Sequence, residues 1–115
     1  MRIEYINLKE DLPISELARA NLEIEIERLI KTDTKVLKIL HGYGSHGVGG
    51  EIKKQTTNLL KKLKEKKVIK DFSSGEKLSI EFIKKHNLYV NFPELLLDSD
   101  LKNYNSGISI VIFND

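Results

Sequence analysis

The chain has 115 residues, 40% hydrophobic and 31% charged, which is room for one compact domain with one core and too little for two ordinary ones. It has no cysteine, which excludes disulfides, thiolate metal sites and thiol nucleophiles. The net charge of +2 is too small to announce a polyanion partner by itself.

No apolar run approaches the length of a bilayer-spanning helix, and Met1-Arg2 leads straight into Ile3-Glu4-Tyr5-Ile6 without a signal-peptide core. The expectation is a cytoplasmic domain with no membrane partner. Arg2 to Leu8 reads as a first strand, with Ile3, Tyr5 and Leu8 at buried positions. Pro13 suits a helix start, and Leu17, Ala18, Leu22, Ile26, Leu29 and Ile30 recur at spacings of three and four, predicting an amphipathic helix over about 14–31. Val36-Leu37-Lys38-Ile39-Leu40 is the short apolar run of a buried parallel strand. Gly42, Gly44, Gly47, Gly49 and Gly50 follow, and a second helix is expected from about Glu51 to Lys67, with Ile52, Leu59, Leu60 and Leu63 on one stripe. Val68 to Phe72 is read as a third strand and Gly107 to Phe113 as the last. Between them, residues 77–105 are expected to hold a short helix through Ile80, Ile83 and Lys84, an extended Leu88 to Phe92, and a turn-rich piece after Pro93.

Charge is unevenly spread. Residues 53–67 contain Lys53, Lys54, Lys61, Lys62, Lys64, Lys66 and Lys67 against Glu65 alone, a surplus of six positive charges. Residues 14–33 instead carry a surplus of two negative charges. The positive field therefore belongs to one element.

The glycine cluster sits after a strand and before a helix, where backbone N–H groups and the positive end of the helix dipole can converge on a phosphate. Gly42, Tyr43, Gly44, Ser45, Gly47, Gly49 and Gly50 are the candidate cradle, with Lys53 and Lys54 in the first helical turn adding charge. Cations at a helix start oppose the dipole, so two lysines there suggest an anion nearby. The plain alternative is that these lysines are the solvated side of an amphipathic helix. Gly42-Tyr43-Gly44-Ser45-His46-Gly47 also fits G-x-G-x-x-G, with Asp71 placed like a ribose-binding acid. The extra Val48-Gly49-Gly50 before the helix, and the short chain that remains, argue against a dinucleotide site.

His41 and His46 flank the turn, and imidazole trades protons near neutrality, so both are candidate catalytic residues. Alternatively His41 caps the strand and His46 is a solvated loop residue. No carboxylate or third histidine stands at ligand spacing from them, so no metal site is expected. The sequence implies no particular cofactor.

Ile39 to Lys53, as Ile39-Leu40-His41-Gly42-Tyr43-Gly44-Ser45-His46-Gly47-Val48-Gly49-Gly50-Glu51-Ile52-Lys53, resembles the strand and HGxG turn of the Smr (small MutS-related) domain family. The resemblance implies an α/β fold, a β-α-β-α-β-β two-layer sandwich similar to the C-terminal domain of translation initiation factor three. Residues 77–105 would be an insertion before the last strand. It also implies binding of DNA or RNA and, in some members, endonuclease activity. The family's LDLHG-like first motif falls on Ile6-Asn7-Leu8-Lys9-Glu10, where its acid and its histidine are both replaced. Lys53 stands where the family often has arginine, keeping charge without the bidentate fork.

The leading expectation is thus a nucleic-acid-binding domain that holds backbone phosphate. A second is a catalytically silent protein-interaction or regulatory module using Leu88 to Leu101 as an apolar docking surface. A third is a phosphometabolite or nucleotide binder using the same turn.

Overall fold

The computed structural model describes residues 1–10, 14–42 and 48–115, with the side chains of Val48 and Gly49 outside the description. Four strands form one mixed sheet: β1 (Arg2–Asn7), β2 (Thr34–Leu40), β3 (Asp71–Ser74) and β4 (Ile108–Ile112), in the spatial order β1-β2-β4-β3. β1 pairs parallel with β2, as a crossover helix requires, whereas β4 runs antiparallel to both β2 and β3. The carboxyl ends of β1, β2 and β3 therefore lie at one end of the sheet.

Two long helices supply the crossovers, α1 (Ser15–Ile30) and α2 (Val48–Glu65). Ala18, Leu22, Ile26 and Leu29 of α1 are buried at the spacing that keeps one helical face inward. They meet Ile52, Leu59 and Leu60 of α2, Leu37 and Ile39 of β2, and Val111 of β4 in one apolar cluster. Leu17 and Ile30, expected in the same stripe, are 52% and 46% exposed, because they turn away from the sheet.

The other sheet face is covered as well. Val36, Ile108, Ile110 and Ile112 point into a second cluster built with Leu78, Leu88, Phe92, Leu95 and Leu101. Strand alternation explains the division, since odd and even positions of β4 face opposite sides. The expected two-layer sandwich is thus corrected to three layers, with residues 78–102 forming the third. It consists of α3 (Ile80–Lys85), α4 (Leu88–Asn91), a 3₁₀ turn over Pro93–Leu97, and α5 (Ser99–Lys102).

Local backbone chemistry accounts for the other differences. Leu88 to Phe92 is helical rather than extended: Asn87 takes φ 52°, the left-handed region asparagine tolerates, and starts a fresh turn closed by the Phe92 N–H donating to the Leu88 carbonyl at 2.8 Å. That turn places Leu88 and Phe92 on one face. Val68 to Lys70 is not strand, because Lys67 at φ 62° ends the helix and the Val68 N–H donates back to the Leu63 carbonyl at 2.9 Å. β3 begins only at Asp71. Tyr5, expected inside, is 57% exposed, since the third layer leaves the outer edge of β1 uncovered.

Gly75 follows β3 in a 3₁₀ turn, and a Cβ there would stand 1.9 Å from the Asn105 carbonyl oxygen. Only glycine fits that approach. The radius of gyration, 13.3 Å, is that expected of 115 residues in a single compact body. No helix among the described residues is long and apolar enough to cross a membrane.

Candidate nucleic-acid interface

α2 leaves the end of β2 and returns to the start of β3, and two ion pairs mark its ends. Lys53 donates to Glu76, just past the carboxyl end of β3, at 2.8 Å, and Lys64 donates to Asp71, the first residue of β3, at 2.9 Å. With 18 residues at about 1.5 Å each, α2 is about 27 Å long. Gly42 and the start of α2 therefore lie at the opposite end of the sheet from the lysine-rich end of the helix.

At the turn, the sequence expectations fare unevenly. Tyr43, Gly44, Ser45, His46 and Gly47 lie outside the described residues. Gly42 has φ 77°, so glycine is needed for the bend, but its N–H donates to the Gly107 carbonyl at 2.9 Å and is committed within the fold. Gly49 and Gly50 belong to the first turn of α2 rather than to the loop before it, a correction to the expected start at Glu51. Lys53 is held by Glu76, whose carboxyl is kept below its usual range: burial pushes it up, and the hydrogen bond from Lys53 more than offsets this. The mismatch of Lys53 with the helix dipole is thus relieved by a carboxylate of this chain. Lys54 is exposed.

His41 is fully buried. Its Nδ1 lies 2.7 Å from the Gly42 carbonyl oxygen and must carry the proton there, so Nε2, 2.9 Å from Ser109 Oγ, accepts from the hydroxyl. Burial pushes its pKa below the ordinary imidazole value, partly opposed by the Gly42 carbonyl. Neutral, enclosed and hydrogen-bonded at both nitrogens, it ties the end of β2 to β4. Both nitrogens are thereby engaged within the fold.

The lysine-rich end gains what the sequence did not reveal. Asp71 accepts not only from Lys64 but from His86 Nε2 at 2.8 Å, and Lys85 stands 3.8 Å away. Burial would raise the Asp71 pKa, yet hydrogen bonds from Lys64, His86 and the Phe72 N–H bring it down to about 2. This pair docks the end of α3 against the start of the edge strand β3. Lys85, some twenty residues further along the chain, thereby joins Lys64 at the end of α2 that also carries the exposed Lys61, Lys62, Lys66 and Lys67. Asp71 opens its strand and is spent on these partners, which removes it as the ribose-binding acid of a dinucleotide fold.

A second polar cluster lies under the third layer. Lys38 donates to Asp98 at 2.8 Å and to Asp100 at 2.7 Å, with side-chain exposures of 13%, 12% and 32% respectively. Burial disfavours the ammonium, but the two carboxylates outweigh it and hold its pKa above the usual lysine value. Asp98 also caps α5 by accepting from the Asp100 and Leu101 N–H groups. A lysine in the middle of an apolar strand was the available signal, because a charge there must find a partner.

Among the described residues, no group of three histidines or carboxylates could hold a metal ion. The chain matches no protein-family model, no curated protein and no solved structure.

Proposed function

We propose that this domain binds nucleic acid through backbone phosphates along the outer face of α2. The observation that carries the reading is the exposed lysine surface of Lys54, Lys61, Lys62, Lys66 and Lys67, extended by Lys85. Lys54 to Lys62 span about 12 Å of helix, and Lys66 and Lys67 carry the charge just past its end, together long enough to meet successive phosphates. α1, on the same side of the sheet, carries the acidic surplus, so the field has a direction and would orient an approaching strand. Contacts of this kind fix position without reading bases, and sequence-specific recognition is no part of the proposal.

The Smr-like family assignment belongs to the same proposal, supported by the order β-α-β-α-β-β of the main elements. Cleavage by His41 does not, because it is enclosed and both its ring nitrogens are engaged; His46 lies outside the described residues. For the docking-module alternative the segment divides: Leu88, Leu95 and Leu101 are buried against the sheet, whereas Val90 and Leu97 are 81% and 82% exposed.

The test is titration of labelled single-stranded and double-stranded oligonucleotides at about 50 and 200 mM salt. Four phosphate contacts would weaken single-strand binding about 50-fold across that range. Absence of binding at the lower salt, or binding indifferent to salt, would refute the reading.

A further inference from the structure

Independently of nucleic acid, a groove of about 300 Å³ opens at the other edge of the sheet, lined by Tyr5, Ile6, Asn7, Lys38, Leu40 and Asp100. It exists because the third layer covers β2, β4 and β3 and meets β1 at Ile3 but leaves Tyr5 exposed, with α5 as one wall and the edge strand as the other. Its volume is at the small end of ligand sites, enough for one ring with a short tail and too small for a nucleotide.

The walls are apolar and aromatic, through Leu40 and the Tyr5 ring, and the polar end is the Lys38, Asp98 and Asp100 cluster. One ammonium against two carboxylates leaves that cluster with a net negative charge. Its most accessible member is Asp100, 32% exposed, whereas the lysine beneath is 13% exposed. A ligand entering the groove therefore meets carboxylate before ammonium. Asp100 accepts from Lys38 at one oxygen and from Asn105 Nδ2 at the other, at 2.7 and 2.8 Å, which leaves lone pairs for a further donor. The same negative field is registered by Tyr5: burial raises its pKa first, and Asp98 and Glu94 raise it further.

We propose that this groove is a binding site for a small organic cation, an aromatic or alkyl amine whose body lies on Tyr5 and Leu40 and whose ammonium meets Asp100. The Tyr5 ring face, more than half exposed, adds a cation-π contact that an anion or neutral isostere would forgo.

Phenethylammonium and its anionic counterpart phenylacetate are the probes, added to the full chain at up to about 10 mM, where millimolar affinity is visible by NMR. Phenethylammonium should shift the resonances of Tyr5, Asn7 and Leu40, and phenylacetate should leave them in place. Asp100→Asn should weaken the amine at least tenfold. Because that change also touches the Lys38 pair, Tyr5→Leu serves as the second variant. Tyr5 is exposed, so the fold should persist by circular dichroism while affinity falls severalfold. Equal response to both probes, no response to the amine, or unchanged affinity in both variants would overturn the assignment.

Discussion

The two faces of the sheet are held in different ways. On one, α1 and α2 lay continuous apolar stripes against β2 and β4, so thirteen buried residues act as one surface. On the other, four short helical pieces are pinned by single large side chains, Leu88, Phe92, Leu95 and Leu101, by the Asp71–His86 hydrogen bond, and by the ion pairs of Lys38 with Asp98 and Asp100. The first arrangement tolerates local change, because neighbours in a stripe share the load. The second depends on discrete anchors, each closing a turn that lacks the length to be stable alone.

The largest expected effects come from cutting one anchor on each face. Leu22→Ala and Leu88→Ala, both at fully buried positions, should each cost about 2–5 kcal/mol. Denaturant unfolding of Leu88→Ala should remain a single transition by fluorescence and circular dichroism if the third layer belongs to the same cooperative unit. Separated transitions would show it to be a detachable cover and break the comparison.

Next comes the buried charge under that layer. Lys38→Met leaves Asp98 and Asp100 without their cation and should cost about 2–3 kcal/mol, somewhat below a fully enclosed pair because Asp100 reaches solvent. Urea midpoints of the two proteins measure it. An unchanged midpoint would mean the pair is not what holds α5.

Smaller is the contribution of Asp71. Its carboxyl titrates at about 2 when folded, against an ordinary value of 3.8. A depressed acid stabilises the fold above its unfolded pKa and loses that contribution as pH falls through the folded one. Stability should therefore drop by about 2 kcal/mol between roughly pH 4 and pH 2, and the Asp71→Asn variant should lack this part of the decline. His41, depressed by burial, behaves with the sign of a base kept neutral. The unfolded chain takes up the proton first, so a shallower loss of stability begins as pH falls below about 6.5, absent in His41→Gln.

The same contrast decides how much was readable beforehand. α1, α2, β2 and β4 follow from apolar periodicity, because each buries a continuous face whose spacing is written in consecutive residues. The third layer carries no such period. Its turns depend on positive φ at Asn87 and Tyr104 and on the Asp98 cap, features of single residues whose effect appears only when the sheet is there to receive Leu88 and Leu101. Phe92 shows the difficulty, since Leu88 to Phe92 has the composition of a strand and becomes a helical turn because both its ends must face the same core.

For the candidate site, the lysine surplus of α2 was legible and its location was not. Sequence proximity drew attention to Lys53, Lys54 and the glycines, whereas the fold gives Lys53 to Glu76 and commits the Gly42 N–H to Gly107. It also brings Lys85 beside Lys64 through a shared aspartate, a meeting that no linear motif records.

Whether placement of charge, rather than its amount, makes the interface is best tested with two variants of equal net charge. One carries glutamate at Lys54, Lys61 and Lys62 on α2, the other at the exposed Lys9, Lys31 and Lys102, which belong to other segments. Oligonucleotide titration at low salt should find binding lost in the first and retained, with a nearly unchanged salt slope, in the second. Equal losses in both, or retention in the first, would contradict an interface on α2.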